Sequence, residues 1–263
     1  MERLTCGDIL TLIHQVAPFD TQEPWDNSGF LVGKKEKEVT GILFALDVTQ
    51  QVISEAVERG ANLIVTHHPL MFDPIRRVTD ETFEGRLILR LIHEDIALIA
   101  CHTCLDRAPG GINDALAECC ALLDVEGEGF VRVGTLPVPM TAGDLREYLS
   151  AALGDTVRLM GDPDLTVRRL GMCSGAGSGE WEEAAALGAD AFLSGEVKHH
   201  HALAMADAGI PCFECGHFAT ERPGIFALAD ALQTALDQVE YKLGIYHSRA
   251  GAYGAGPDPR QAD

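Results

Sequence analysis

The chain is poor in positive charge. Lysine and arginine number 20 against 40 aspartates and glutamates, leaving a formal net charge of −20. A polyanionic partner needs Lys and Arg to neutralise its phosphates, so this composition disfavours nucleic acid as a partner. A well-solvated acidic surface is the expected role of the excess carboxylates. No stretch of sequence reaches the roughly 20 apolar residues of a membrane-spanning helix. The first residues, MERLTCGDIL, lack a basic segment followed by an apolar run, so no secretory signal is expected. Without such a signal, the eight cysteines point to free thiols in a reducing cytoplasm and not to a disulfide framework.

What is present is enough for a substantial core. Of 263 residues, 46 % are hydrophobic, which suits one large domain or two modest ones. Apolar residues Ile9, Leu10, Leu12, Ile13 and Val16 recur at helical spacing behind Thr5, a predicted N-cap with Asp8 three residues on. Gly41 to Val48 reads as a buried strand, and Thr49 then caps a helix that Gly60 ends. A second strand, Leu63 to Thr66, runs into His67-His68-Pro69. The following helix is predicted to carry Phe83, Leu87, Ile88, Leu91 and Ile92 on one face, before a strand from Ile96 to Cys101 that runs into His102-Thr103-Cys104-Leu105-Asp106. Strands alternating with helices in this way indicate parallel α/β units.

The same pattern then returns. Glu55-Ala56 and Gly60-Ala61-Asn62-Leu63-Ile64-Val65-Thr66 are echoed, at a constant offset, by Glu183-Ala184 and Gly188-Ala189-Asp190-Ala191-Phe192-Leu193-Ser194. Ile96 to Cys101, ending before Asp106, has its counterpart in Ile210 to Cys215, ending before His217 and Glu221. An ordered match of this kind indicates an internal duplication. A boundary is expected near 125–135, where Gly127, Gly129 and Gly134 cluster, and the Gly-, Ala- and Pro-rich tail from Ser248 is expected to be loose.

In open parallel sheets, functional groups gather beyond the carboxyl ends of the strands. His67, His68, Asp106 and His217 all fall at such ends. Adjacent residues of an extended chain point to opposite sides, so His67 and His68 are expected to serve two different metals. His217 and Glu221 stand four apart at the opening of the last helix, a spacing that places both on one face. A glutamate there can give one oxygen to each of two ions. Imidazole with carboxylate suits Zn, Fe or Mn better than thiolate-loving ions. A lone buried histidine is usually a hydrogen-bonded core residue. Several donors at corresponding strand ends weigh against that reading.

Other motifs rank lower. The spacings Cys101/Cys104 and Cys212/Cys215 could suggest a four-cysteine zinc, but the gap between them exceeds that of zinc ribbons, and strand residues three apart face opposite sides. Gly175-Ala176-Gly177-Ser178-Gly179 could offer amides to a phosphate, though a tight turn is the simpler role. His199-His200-His201 is expected to face solvent. Glu196, which aligns with His68, is a candidate acid beside the metals, and His102 is a candidate proton donor or a structural hydrogen bonder.

The sequence resembles the NIF-three-like dinuclear-metal family, whose members carry the name GTP cyclohydrolase I type 2. The matching stretches are Pro24-Trp25-Asp26-Asn27-Ser28-Gly29, Val65-Thr66-His67-His68-Pro69, His102-Thr103-Cys104-Leu105-Asp106, Ser194-Gly195-Glu196 and Gly216-His217-Phe218-Ala219-Thr220-Glu221. They follow in order over nearly the whole chain. The resemblance implies His67, His68, Asp106, His217 and Glu221 as metal ligands, with Glu221 touching both ions. It also implies paired α/β domains and a ring-shaped homohexamer. Where the family usually has asparagine, this chain has Cys104.

The expected architecture is therefore α/β: two related three-layer α/β domains from an internal repeat, with the metal site between them at strand ends. The expected segments are 1–126, 127–216, and 217–263 as a C-terminal segment returning to the site. The expected function is a metal-dependent hydrolase using two divalent ions per chain (Zn, Fe or Mn). By resemblance alone, it would open the guanine ring of GTP or of a related nucleotide. Phosphoester cleavage is the alternative chemistry, and a non-enzymatic metal-binding scaffold is the rival from another class. Five residues shared over two ions leave open positions for water, which favours catalysis over a closed structural site.

Overall fold

The computed structural model describes residues 3–252. Elements run in the order α1 (Cys6–Val16), β1 (Gly29–Val32), β2 (Gly41–Ala45), α2 (Gln50–Arg59), β3 (Leu63–Thr66), α3 (Phe83–His93), β4 (Ala97–Ala100), α4 (Thr103–Arg107) and α5 (Ile112–Cys119). There follow β5 (Leu123–Glu126), β6 (Arg132–Thr141), α6 (Ala142–Leu153), β7 (Arg158–Met160), β8 (Thr166–Cys173), α7 (Trp181–Ala186), β9 (Ala191–Ser194), α8 (His199–Asp207), β10 (Cys212–Glu214), α9 (His217–Gln238) and β11 (Gly244–His247). The chain divides into two compact units. The first holds the residues up to Pro109 together with those from Ile225 onward; the second holds Gly110–Gly224.

The first unit is built on a five-stranded sheet in the order β1-β4-β3-β2-β11. Strands β2, β3 and β4 are parallel neighbours, and β1 runs antiparallel on the far side of β4. Leu63, Ile64 and Val65 are all wholly buried, the continuous apolar run of a strand covered on both faces. Thr49 caps α2 through the Val52 amide, and Gly60 closes it in the left-handed conformation that glycine adopts without strain. Helix α3 buries Leu87, Ile88 and Leu91, whereas Phe83 and Ile92 are more than half exposed, so its apolar stripe is narrower than the sequence predicted. The chain then returns to this sheet, for β11 pairs in parallel with β2. Beyond it Ser248 Oγ donates to Glu55 Oε2 at 2.7 Å, and the Arg249 amide donates to the same carboxylate. The start of the expected loose tail is therefore tied down, and residues 253–263 lie outside the described residues.

The second unit carries a six-stranded sheet in the order β5-β6-β8-β9-β10-β7. Alternation along β9 separates its two faces. Ala191 and Leu193 pack with Leu145, Leu149 and Ala219, while Phe192 packs with Ala184 and Met205. Helices α5, α6 and the start of α9 thus cover one face, and α7 and α8 the other. This is a three-layer α/β unit.

The two sheets share one plan. As β2, β3 and β4 are parallel with β1 antiparallel outside β4, so β8, β9 and β10 are parallel with β7 antiparallel outside β10. Each plan is preceded by a helix with the same opening. Thr5 accepts from the Asp8 amide, and Thr141 accepts from the Asp144 amide. The series α1-β1-β2-α2-β3-α3-β4 therefore recurs as α6-β7-β8-α7-β9-α8-β10, a longer repeat than the strand–helix echo in the sequence. Among the described residues, no helix is long and apolar enough to cross a membrane.

Candidate metal centre

In the first unit the donors gather past the ends of β3 and β4. The amides of His67 and His68 still follow the ladder, donating to the carbonyls of Ala45 and Leu46. Thr66 Oγ1 then donates to the His68 carbonyl at 2.8 Å and bends the chain. The two imidazoles consequently converge, with ring centroids 4.9 Å apart. Their expected projection to opposite sides does not hold, because the strand has ended at Thr66. His102 joins them, and one ligand-capable atom from each of His67, His68 and His102 lies within 4.8 Å of the others. Asp106 is delivered by α4, with Oδ1 3.5 Å from His67 Nε2. His67 is wholly buried and Asp106 nearly so.

In the second unit His217 and Glu221 share one face of the first turns of α9. His217 Nε2 stands 3.0 Å from Glu221 Oε2. Two glycines let the strand-end loops approach that helix. Gly175 has a φ of +55°, and a Cβ there would land on Glu221 Oε1. A Cβ on Gly195 would crowd the Gly175 carbonyl, Thr220 Oγ1 and the His217 Cα. Thr220 Oγ1 also accepts from the Gly175 amide at 3.1 Å. The Gly175–Gly179 loop is therefore a tight turn supporting α9. Its neighbouring amides at Ser174 and Gly177 are likewise committed, to Asn113 Oδ1 and the Ser174 carbonyl.

One feature recurs at every histidine of the two groups. His67 Nδ1 donates to the Cys101 carbonyl at 2.9 Å, and His68 Nδ1 to Asp47 Oδ1 at 2.7 Å. His102 Nδ1 donates to Asp26 Oδ1 at 2.9 Å, and His217 Nδ1 to Glu196 Oε1 at 2.8 Å. In His67, His68 and His217 a proton fixed on Nδ1 turns the Nε2 lone pair to a metal, and such an orienting acceptor accompanies nearly every metal-binding histidine. The donor set thus fits a divalent ion. Glu196, expected as an acid beside the metals, meets His217. Asp47 and Asp26 carried no assigned role in the sequence analysis, although Asp47 lies just past β2 as Glu196 lies just past β9.

Asp26 is a hub. Its carboxylate also accepts from the Asn27 and Thr103 amides and from the hydroxyls of Ser28 and Thr103. Burial alone would raise its pKa, but the hydrogen bonds from His102 and Thr103 and the His102 charge hold it well below the usual carboxylate range. Nearby, the Cys101 and Cys104 sulfurs are 3.5 Å apart. They meet because Cys101 lies beyond the end of β4 and Cys104 on α4, so the strand-face argument does not apply to them. Their shared hydrogen bond lowers the Cys104 pKa and raises that of Cys101, which burial raises further. His199 and His200 are exposed as expected, while His201 Nδ1 meets Ser178 Oγ at 3.0 Å.

A family model described as Duf34/NIF3 (NGG1p interacting factor 3) matches residues 4–251. The chain belongs to this family. Among Duf34/NIF3 relatives, a Clostridium perfringens protein named GTP cyclohydrolase 1 type 2 homolog is 35 % identical over 241 residues, covering 88 % of this chain and 92 % of its own. A Streptomyces coelicolor protein of the same name is 35 % identical over 264 residues, covering 95 % and 92 % respectively. The crystal structure of a Staphylococcus aureus protein superposes with a TM-score of 0.92 at 27 % identity, over 96 % of this chain and 98 % of that one. The Duf34/NIF3 likeness thus extends over both units.

Proposed function

We propose that the chain is a dinuclear metal-dependent hydrolase. His67, His68, Asp106, His217 and Glu221 are the residues that would hold its divalent ions, Zn, Fe or Mn. The observation that carries this reading is the Nδ1 pattern. A core histidine needs only a partner for each polar atom, whereas His67, His68 and His217 all commit Nδ1, and His67 and His217 turn Nε2 to a carboxylate. Bound divalent ions would supply Lewis acidity and a water of lowered pKa.

The chain's own residues do the rest. Asp47, Glu196 and the Cys101 carbonyl lock the ring orientations and make the imidazoles better donors. Asp26 holds His102 by Nδ1, so His102 Nε2 can carry a proton to a leaving group beside His67 and His68. The relatives' name supports a guanine nucleotide as substrate, with ring opening as the reaction. A closed homohexamer is the matching assembly, and light scattering near six chain masses of 28.3 kDa would support it, whereas a monomer would contradict it. The activity is tested by assaying metal-loaded protein against a panel of nucleotides and phosphoesters. Turnover that chelation abolishes and added metal restores is expected. A chain that fills with metal yet hydrolyses nothing in the panel would return it to the scaffold class.

A further inference from the structure

Two buried thiols stand inside the first unit's donor group. Cys101 and Cys104 bracket His102, and both are wholly inaccessible to solvent, with sulfurs 3.5 Å apart. Each is tied to a proposed ligand through the backbone. The Cys101 carbonyl is the acceptor that orients His67, and Cys104 lies on the five-residue helix that carries Asp106. All eight cysteines of the chain are free thiols. A C-x-x-C pair running from a strand end into a helix is the arrangement found in dithiol redox motifs of α/β proteins.

We propose that Cys101 and Cys104 are a reversible redox pair, closing to a disulfide under hydrogen peroxide, and that closure displaces the His67 and Asp106 donors. In the first step one sulfur attacks a peroxide oxygen, the O–O bond breaks, and a sulfenic acid forms with release of water. In the second, the other thiol attacks that sulfur, the S–O bond breaks, the S–S bond forms and a second water leaves. Two thiol hydrogens and two electrons pass to the peroxide. A disulfide holds its sulfurs about 2.05 Å apart, so the pair must close by about 1.5 Å from its present separation. Packing leaves little slack around buried side chains, so that movement passes to the Cys101 carbonyl and to α4. The effect on metal rests on the function proposed above; the thiol chemistry does not.

The sequence makes the test direct. Residues 91–107 follow Arg90, end at Arg107 and contain no other lysine or arginine, so trypsin places both cysteines in one peptide. Full-length protein is treated with hydrogen peroxide, freed of excess peroxide, unfolded in guanidinium, alkylated with N-ethylmaleimide, digested and weighed. The peptide should be two hydrogens lighter and unalkylated, and prior dithiothreitol should restore two alkylation sites. Retention of both free thiols, or a sulfinic acid in place of the disulfide, would overturn the proposal. Cobalt(II) titration of the same samples reads the second half. At least a tenfold loss of affinity on oxidation is expected, reversed by reductant, with Cys104→Ser and Cys104→Ala insensitive to peroxide. Unchanged cobalt affinity in fully oxidised protein would overturn the coupling. Reduced protein that binds no cobalt would instead count against the proposed metal site, leaving the peptide result to judge the thiols.

Discussion

Glu196 Oε1 accepts a hydrogen bond from His217 Nδ1 at 2.8 Å, which fixes the imidazole so that Nε2 faces Glu221. Asp47 does the same for His68 in the other unit. Neither carboxylate is itself an expected ligand, so each acts by holding a ring. Replacing Asp47 with alanine is expected to weaken metal affinity about 10- to 100-fold while leaving the circular dichroism spectrum unchanged. An affinity equal to that of the parent chain would remove Asp47 from the account.

Gly175 offers a sharper contrast. Alanine there meets Glu221 Oε1, whereas at Gly110 the backbone is also left-handed, with a φ of +72°, but nothing lies within 4 Å of the added carbon. Both substitutions should cost about 1–2 kcal/mol of stability through backbone strain. Only Gly175→Ala should also lower metal content. Equal metal content in both variants, measured beside their melting curves, would show that Glu221 tolerates the displacement.

Glu221→Gln keeps the size of the side chain and one carbonyl oxygen but removes the charge that would offset two nearby cations. The expected outcome is loss of at least one ion and nearly all hydrolysis, with the melting temperature of the metal-free protein little changed. Were Glu221 merely an acid in the first turns of α9, the substitution would cost under about 1 kcal/mol and leave metal untouched. Metal content and melting together separate these outcomes.

Asp26 sets an acid limit on stability. Its folded pKa is depressed, so the unfolded chain takes up the proton first as pH falls. Its contribution is fully present above the unfolded carboxylate value of about 3.9 and is lost progressively below it. Asp26→Asn should therefore destabilise the protein at neutral pH and flatten the decline of stability below about pH 4. Parallel denaturation curves for parent and variant across that range would contradict the assignment.

Much of the fold was legible because parallel α/β units leave local marks. Thr49 and Gly60 bracket α2 as caps, and Leu63–Thr66 reads as a strand from its unbroken apolar run. The donor residues were legible because they sit where such strands end. What escaped was non-local. The pairing of β11 with β2 joins residues about 200 positions apart, and the short segment Gly244–His247 carries no periodicity that names its partner. The convergence of His67 and His68 depends on a bend made by the Thr66 hydroxyl, which strand alternation cannot anticipate. Cys101 and Cys104 likewise meet only because the chain changes from strand to helix between them. Asp47 and Asp26 escaped a role because an orienting acid has no fixed spacing from the histidine it holds: 21 positions for Asp47 and His68, 76 for Asp26 and His102.

The most direct test counts metal. Protein prepared without an affinity tag, reconstituted with zinc, manganese or iron and freed of excess ion, is subjected to elemental analysis with chain concentration taken from amino-acid analysis. Two ions per chain are predicted, falling to one or none in His68→Ala and in Glu221→Gln. One ion per chain that survives both substitutions, or no retained metal in the parent protein, would contradict the dinuclear centre.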